Sequence, residues 1–205
     1  MSHPIKALFL DIGGVLLNNG WDRKARQDAA KSFGLDYTDM EERHHLTYDT
    51  YEAGKINLDT YLDRIVFFEK RGFTKEQFRM FMISQSHAHE PTIEYFKTLK
   101  NTHNIKIGVL SNEGRELSEY RTRKFELHSF VDFFVVSSYV HVRKPDEDIY
   151  RLALGIAQLS PENCAYVDDR HLFVEVAQKL GIRSIHHTAL SNTSAQLEAM
   201  GLSNG

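Results

Sequence analysis

From Thr92 onward, short apolar runs alternate with longer stretches of helical periodicity, and this alternation constrains the fold more than any other feature. The apolar runs are Ile105 to Leu110, Phe133 to Val136, Ala165 to Val167 and Ile182 to Ile185. Between them lie Arg115 to Leu127, Asp146 to Ala157 and Leu172 to Leu180, where apolar residues recur at helical spacing. Strands separated by helices of that length imply βαβ units and a parallel sheet. Ile5 to Leu10 supplies one further strand near the N-terminus. The expected class is therefore α/β, with a parallel sheet between helical layers.

From about Gly20 to Glu90 the texture changes. No strand-like run occurs there, only amphipathic helical segments with start signals. Thr38-Asp39-Met40-Glu41 and Thr74-Lys75-Glu76-Gln77 both read as capping boxes, in which hydroxyl and N3 side chain satisfy orphan amides reciprocally. Asn57 is an N-cap before a helix over Leu58 to Phe68. Gly34, Gly54 and Gly72 stand where helices stop. Pro91 suits the first turn of a helix that returns the chain to the core. The expected division is a core of residues 1–19 and 92–205 with an all-helical cap of residues 20–91. The insertion leaves the chain just past Asp11, so it starts beside that carboxylate. Ser203-Asn204-Gly205 is expected to fray.

Composition excludes several classes. Lys plus Arg number 25 against 28 Asp plus Glu, a net charge of −3. No basic stripe points to nucleic acid and no polybasic cluster to an anionic membrane. No run approaches the ~20 apolar residues that span a bilayer. Cys164 is the one cysteine, which fits a reducing compartment, and the first residues lack a signal-peptide stretch. A cytoplasmic protein, a monomer or weak homodimer, is the expectation. The 11 histidines show no zinc-like spacing with cysteine and read as structural or exposed.

The chemistry gathers at strand ends. Asp11 follows Ile5 to Leu10 and opens the turn Asp11-Ile12-Gly13-Gly14. Ser111-Asn112 follows Ile105 to Leu110, Arg143-Lys144-Pro145 precedes a helix, and Asp168-Asp169 follows Ala165 to Val167. In open α/β sheets ligands bind outside the carboxyl ends of the strands. Asp11, Asp168 and Asp169 make a set of oxygen donors suited to Mg²⁺, which uses one or two carboxylates plus water and phosphate. Lys144 adds a compact positive charge and Ser111 a hydroxyl. Such a set describes a phosphoryl site in which the carboxylate acts as nucleophile.

These four motifs, Leu8 to Leu16, Val109 to Asn112, Arg143 to Pro145 and Tyr166 to Asp169, resemble those of the haloacid dehalogenase-like (HAD) hydrolase superfamily. The similarity runs from Ile5 to about Ile185, and the helical insertion resembles the cap of many members. The resemblance implies a Rossmann-like three-layer core. It implies that Asp11 is the nucleophile and forms a phosphoaspartate. Mg²⁺ would be held by Asp11, the Gly13 carbonyl and Asp169, with Asp168 direct or through water. Ser111 would bind phosphoryl oxygens with amides near Asn112, and Lys144 would neutralise Asp11 and phosphate. The partner would be a small phosphorylated metabolite.

One position departs from the family pattern. The usual phosphatase motif has a second Asp two residues after the nucleophile, where this chain has Gly13. That Asp protonates the leaving group, and general acid–base catalysis contributes typically ~10²–10⁴-fold. Three accounts compete. The first is a phosphatase for leaving groups of lowered pKa, such as an anomeric hydroxyl or acyl phosphate; members with the Asp-x-Gly form are grouped with sugar-phosphate phosphatases. The second is a catalytically weak phosphoryl-ligand binding or regulatory protein. The third is a 2-haloacid dehalogenase, whose motif usually holds tyrosine at that position. Phe173 is a smaller departure, standing where relatives often have a polar residue. Trp21 and Arg23 are specificity candidates at the start of the cap, and Tyr48, Tyr51, Tyr61, Phe67 and Phe68 are expected in its core.

Overall fold

The computed structural model describes residues 3–204; Met1, Ser2 and Gly205, which the expected core includes, lie outside the described residues. Five strands form one parallel sheet: β1 Ala7–Leu10, β2 Lys106–Ser111, β3 Phe133–Val136, β4 Cys164–Asp168 and β5 Arg183–His186. Their spatial order is β3-β2-β1-β4-β5. The chain leaves β1 outward through β2 and β3, then crosses back to β4 on the other side. The order thus reverses at β1 and β4, the crevice where open α/β sheets take their ligands.

The strands read as continuous apolar runs because both faces are covered. Leu8 and Leu10 pack with Ile107 and Val109 against Ile93, Phe96 and Leu99 of helix α5 (Glu90–His103) and Leu197 of α10 (Leu190–Ala199). Ala7 and Phe9 face the opposite layer. There they meet Ile149 and Ala153 of α8 (Glu147–Ala157) and Ala177 of α9 (His171–Lys179). Helix α6 (Arg115–Lys124) links β2 to β3, and the short α7 (Ser137–Val140) follows β3. The result is the expected three-layer α/β arrangement. Ser203 and Asn204 do not fray: the Ser203 carbonyl meets His103 Nε2 at 2.7 Å and Asn204 donates to the Tyr95 carbonyl at 3.2 Å.

Between β1 and α5 the chain forms α1 (Arg23–Phe33), α2 (Tyr37–Glu52), α3 (Leu58–Ile65) and α4 (Lys75–Ser84). These share a separate apolar cluster built on Trp21, Tyr51, Tyr61, Leu62, Phe78 and Met82. The Thr74–Gln77 capping box and the Asn57 cap form as expected. The Thr38 box does not. Helix α2 starts earlier because the Asp36 carboxylate accepts from the Asp39 amide and takes the N-cap. Helix α3 ends at Ile65, short of Phe68. Arg71 Nε takes the Val66 carbonyl at 2.7 Å, and Phe67 turns in against Phe73 and Phe78. Phe68 stays 41% exposed with the Arg43 guanidinium over its ring, rather than joining the cap core. Gly72 lies in the turn before α4, not at a helix end.

A buried histidine makes the cap acid-sensitive. His44 Nδ1 meets the Tyr61 hydroxyl at 2.7 Å, and burial with the nearby Arg26 charge pushes its pKa down to about 3 from 6.5. A histidine held neutral contributes stability above its unfolded pKa and loses it as pH falls below about 6.5, down to about 3. Between pH 7.5 and 5 the wild type should lose about 2 kcal/mol more unfolding free energy than His44→Gln, by urea denaturation. Equal losses would show that His44 protonates freely in the folded protein.

Candidate active site

Asp11 is the first residue beyond β1, and its amide continues the pairing by donating to the Val167 carbonyl at 3.0 Å. Its Oδ1 accepts from the Ile12 amide at 2.8 Å and lies 3.1 Å from Lys144 Nζ, an ion pair. Burial pushes the carboxyl up to about 7. Lys144 and the Ser111 hydroxyl oppose that rise; Asp168 and Asp169 add to it. Ser111 closes β2 and is buried.

Lys144 reaches in from the loop between α7 and α8. Its ammonium donates to Asp168 Oδ2 at 2.6 Å and to the Leu110 carbonyl at 2.9 Å, and forms an ion pair with Asp11. Burial alone would lower its pKa, but the Asp11 and Asp168 carboxylates outweigh it and hold the lysine charged. Asn112 fixes that loop: its Nδ2 donates to the Lys144 carbonyl and its Oδ1 accepts from the Lys144 amide, each at 2.9 Å. Both ends of the Asn112 carboxamide thereby hold the Lys144 loop.

Asp168 ends β4 with no exposed surface. Lys144 and the Tyr166 hydroxyl donate to its Oδ2, and the Arg170 amide to its Oδ1 at 2.7 Å. Asp169 differs. Its Oδ2 receives Asn19 Nδ2 at 3.4 Å, whereas its Oδ1 is buried with no hydrogen-bond partner. A buried, unpaired carboxylate oxygen is costly, and a bound ion is one partner that satisfies it. Ligand oxygens of Asp11, Asp168 and Asp169 all lie within 4.8 Å of one another. The two loops touch because Gly14 has φ 75° and no side chain; a Cβ there would lie 2.3 Å from Asp169 Oδ2.

A cavity of about 1140 Å³ opens over these groups, walled by Asp11, Gly13, Ser111, Lys144 and Asp169 below and by residues of α1 and α2 above. The cap wall is polar: Arg23, Arg26, Glu41, Glu42, His45, Tyr48, Asp49 and Glu52. Arg143 joins the two walls, reaching Asp49 at 2.9 Å and Glu52 at 2.6 Å. Burial pushes Glu52 up to about 7 against the pull of Arg143. Trp21 and Arg23 both line the cavity, though the Trp21 indole already donates to the Tyr61 hydroxyl at 2.8 Å. The ring of Phe173 lies 5.1 Å from Lys144 Nζ, so an aromatic face takes the place of a polar side chain. His171 is exposed and pairs with Glu175 at 3.1 Å. Cys164 is buried in β4, which pushes its thiol up to about 12.

The haloacid dehalogenase-like hydrolase profile matches residues 5–181. The chain belongs to the haloacid dehalogenase-like hydrolase family. No curated protein matches this HAD-like hydrolase significantly. Among solved structures it is similar to a HAD family enzyme of Bacteroides thetaiotaomicron, with TM-score 0.80, 22% identity and coverage of 95% of this chain and 98% of that one. A HAD-like family hydrolase of Porphyromonas gingivalis follows at TM-score 0.74 and 19% identity, covering 94% and 98%. L-2-haloacid dehalogenase from Xanthobacter autotrophicus shares the fold at TM-score 0.63 and 15% identity, covering 95% and 83%. At such identities the likeness speaks to fold.

Sequence reasoning missed three residues of this HAD-like hydrolase. Arg143 was read only as part of a motif, yet its partners lie 91 and 94 positions away on α2. Arg121, fully buried, bonds Glu113 and the Asn18 carbonyl beside the cavity. Neither pairing has a spacing signature. Asn19 sits in Asn18-Asn19-Gly20, which reads as an ordinary turn.

Proposed function

We propose that this HAD-like hydrolase is a Mg²⁺-dependent phosphatase for a small phosphorylated metabolite, a sugar phosphate above all, working through a phosphoaspartate on Asp11. One observation carries the reading: Asp169 keeps a buried, partnerless Oδ1 in a carboxylate that shares a cluster of oxygens within 4.8 Å with Asp11 and Asp168. Carbon attack by a dehalogenase needs no cation and gives that atom no purpose. The Bacteroides thetaiotaomicron enzyme that shares the fold has been crystallised with magnesium and inorganic phosphate.

Asp11, Asp169 and the Gly13 carbonyl would hold the ion directly. Asp168 would act through water, because both of its oxygens are already engaged. A bound Mg²⁺ supplies positive charge that offsets the phosphate and keeps Asp11 ionised. Asp11 attacks phosphorus as the bond to the leaving oxygen breaks, and water then hydrolyses the acyl phosphate. The Ser111 hydroxyl and the amides around Asn112 bind the phosphoryl oxygens. Lys144 holds Asp11 and Asp168 in place and balances their charge. The polar cap wall suits a hydroxyl-rich leaving group.

Phosphate release from acetyl phosphate and a panel of sugar phosphates, with Mg²⁺ or with EDTA, tests this. Turnover that requires Mg²⁺ is expected, together with a melting temperature that Mg²⁺ raises and EDTA restores. No turnover across the panel, with phosphate still bound, would replace the phosphatase by a phosphoryl-ligand binding protein.

A further inference from the structure

The family's second Asp is missing at Gly13, and the point where its Cβ would sit is crowded by the Asn19 side chain. A Cβ on Gly13 would lie 2.8 Å from Asn19 Oδ1, closer than real Cβ contacts. The next nearest atoms, Asn19 Cα and Cγ, stand at 3.8 Å, which is ordinary contact. Only the tip of one carboxamide therefore crowds a Cβ at this position. The backbone does not: Gly14 and Gly20 have positive φ, and Gly13 is not among the residues that do. Glycine at position 13 is thus matched to Asn19, not to a strained turn.

Asn19 is well placed to act. It lies on the strand-to-cap connection, directly after Asn18. Asn18 ties the two linkers of the cap together by donating to the Gln85 carbonyl at 2.8 Å and accepting from the His87 amide at 2.9 Å. Asn19 lines the same cavity as Asp11 and Ser111. Its Nδ2 donates to Asp169 at 3.4 Å, which turns its Oδ1 toward Gly13. A carboxamide accepts and donates hydrogen bonds but transfers no proton at neutral pH.

We propose that Asn19 is a positioning residue that stands where a side chain at position 13 would stand, orienting the departing oxygen and the incoming water by hydrogen bonds without protonating either. The proposal rests on the phosphatase reading and narrows its substrates. As the Asp11 oxygen bonds to phosphorus, the leaving oxygen keeps the electron pair of the broken bond and departs as an oxyanion, taking its proton later from solvent. Water then attacks phosphorus, the bond to Asp11 breaks, and that water's proton also goes to solvent. Such a site favours leaving groups of low pKa: acyl phosphates and anomeric sugar phosphates. Simple alkyl phosphates should be slower by about the ~10²–10⁴-fold that an acid contributes.

Mg²⁺-loaded enzyme should be assayed on acetyl phosphate, aryl phosphates of graded leaving-group pKa and an alkyl phosphate. The wild type should show a steep fall of kcat/KM with rising leaving-group pKa. Asn19→Ala should lower kcat by about tenfold or more with KM little changed, and Asn19→Ser, which keeps a hydrogen-bonding oxygen, should recover part of it. Gly13→Asp alone should leave the slope steep, because Asn19 holds the space; Gly13→Asp with Asn19→Gly should flatten it and add an acid group to the pH profile. Independently of turnover, Gly13→Ala should shift the Asn19 side-chain amide resonances in metal-free protein. An unchanged kcat in Asn19→Ala, a slope flattened by Gly13→Asp alone, or unmoved Asn19 resonances would overturn the proposal. Failure of the wild type on every substrate would instead bring down the phosphatase reading, and this role with it.

Discussion

Asp11→Asn is expected to lower kcat by at least ~10⁴-fold while the protein stays folded, because an amide cannot form the phosphoaspartate and the rest of the site has no substitute nucleophile. The Ser111 hydroxyl beside it favours the ionised Asp11 carboxylate. Stability should respond differently. Burial lifts the Asp11 carboxyl to about 7 from 3.8, so the folded protein favours its protonated form. The stability this group contributes is present below about pH 3.8 and lost as pH rises through about 7. Metal-free Asp11→Asn lacks that loss, so its melting temperature relative to wild type should rise between pH 5 and pH 8. A variant that keeps more than a few per cent of wild-type kcat would remove Asp11 from the chemistry.

The second large effect is on stability. Lys144→Met should destabilise the protein by ~3–5 kcal/mol, the usual cost of removing one partner of a buried ion pair. For a chain of this size that is a fall of about 6–20 °C in melting temperature. Asp168 would keep only the Tyr166 hydroxyl and the Arg170 amide for a carboxylate with no exposed surface. Adding Asp168→Asn to Lys144→Met should recover part of the loss, since the stranded charge is then gone. If Lys144→Met melts with the wild type, the lysine is not what balances these carboxylates.

The core of this fold could be read from the chain because parallel strands buried on both faces must be apolar throughout, and Phe133 to Val136 matches β3 residue for residue. The Thr74 box was legible for a similar reason: both halves lie within three residues. The Thr38 box failed because an equally good cap, Asp36, stood two residues earlier, and spacing does not rank competitors. The acidic cluster was legible since strand ends of a parallel sheet converge. What it does with its oxygens was not. Asp168 and Asp169 are adjacent in sequence, yet one is saturated with donors and the other keeps a bare oxygen. The Arg143 clamp and the Gly13–Asn19 match depend on where loops from distant elements come to rest. No local pattern records that.

The central claim is that Asp11 carries the phosphoryl group. Quenching the wild type during turnover of acetyl phosphate with Mg²⁺, reducing with borohydride and mapping the peptides by mass spectrometry reads it directly. Reduction of an acyl phosphate on Asp11 would convert that one residue to homoserine, and the account predicts this product at position 11 and its absence in Asp11→Asn. Robust phosphate release with position 11 unmodified, or with the product at Asp168 or Asp169, would contradict it.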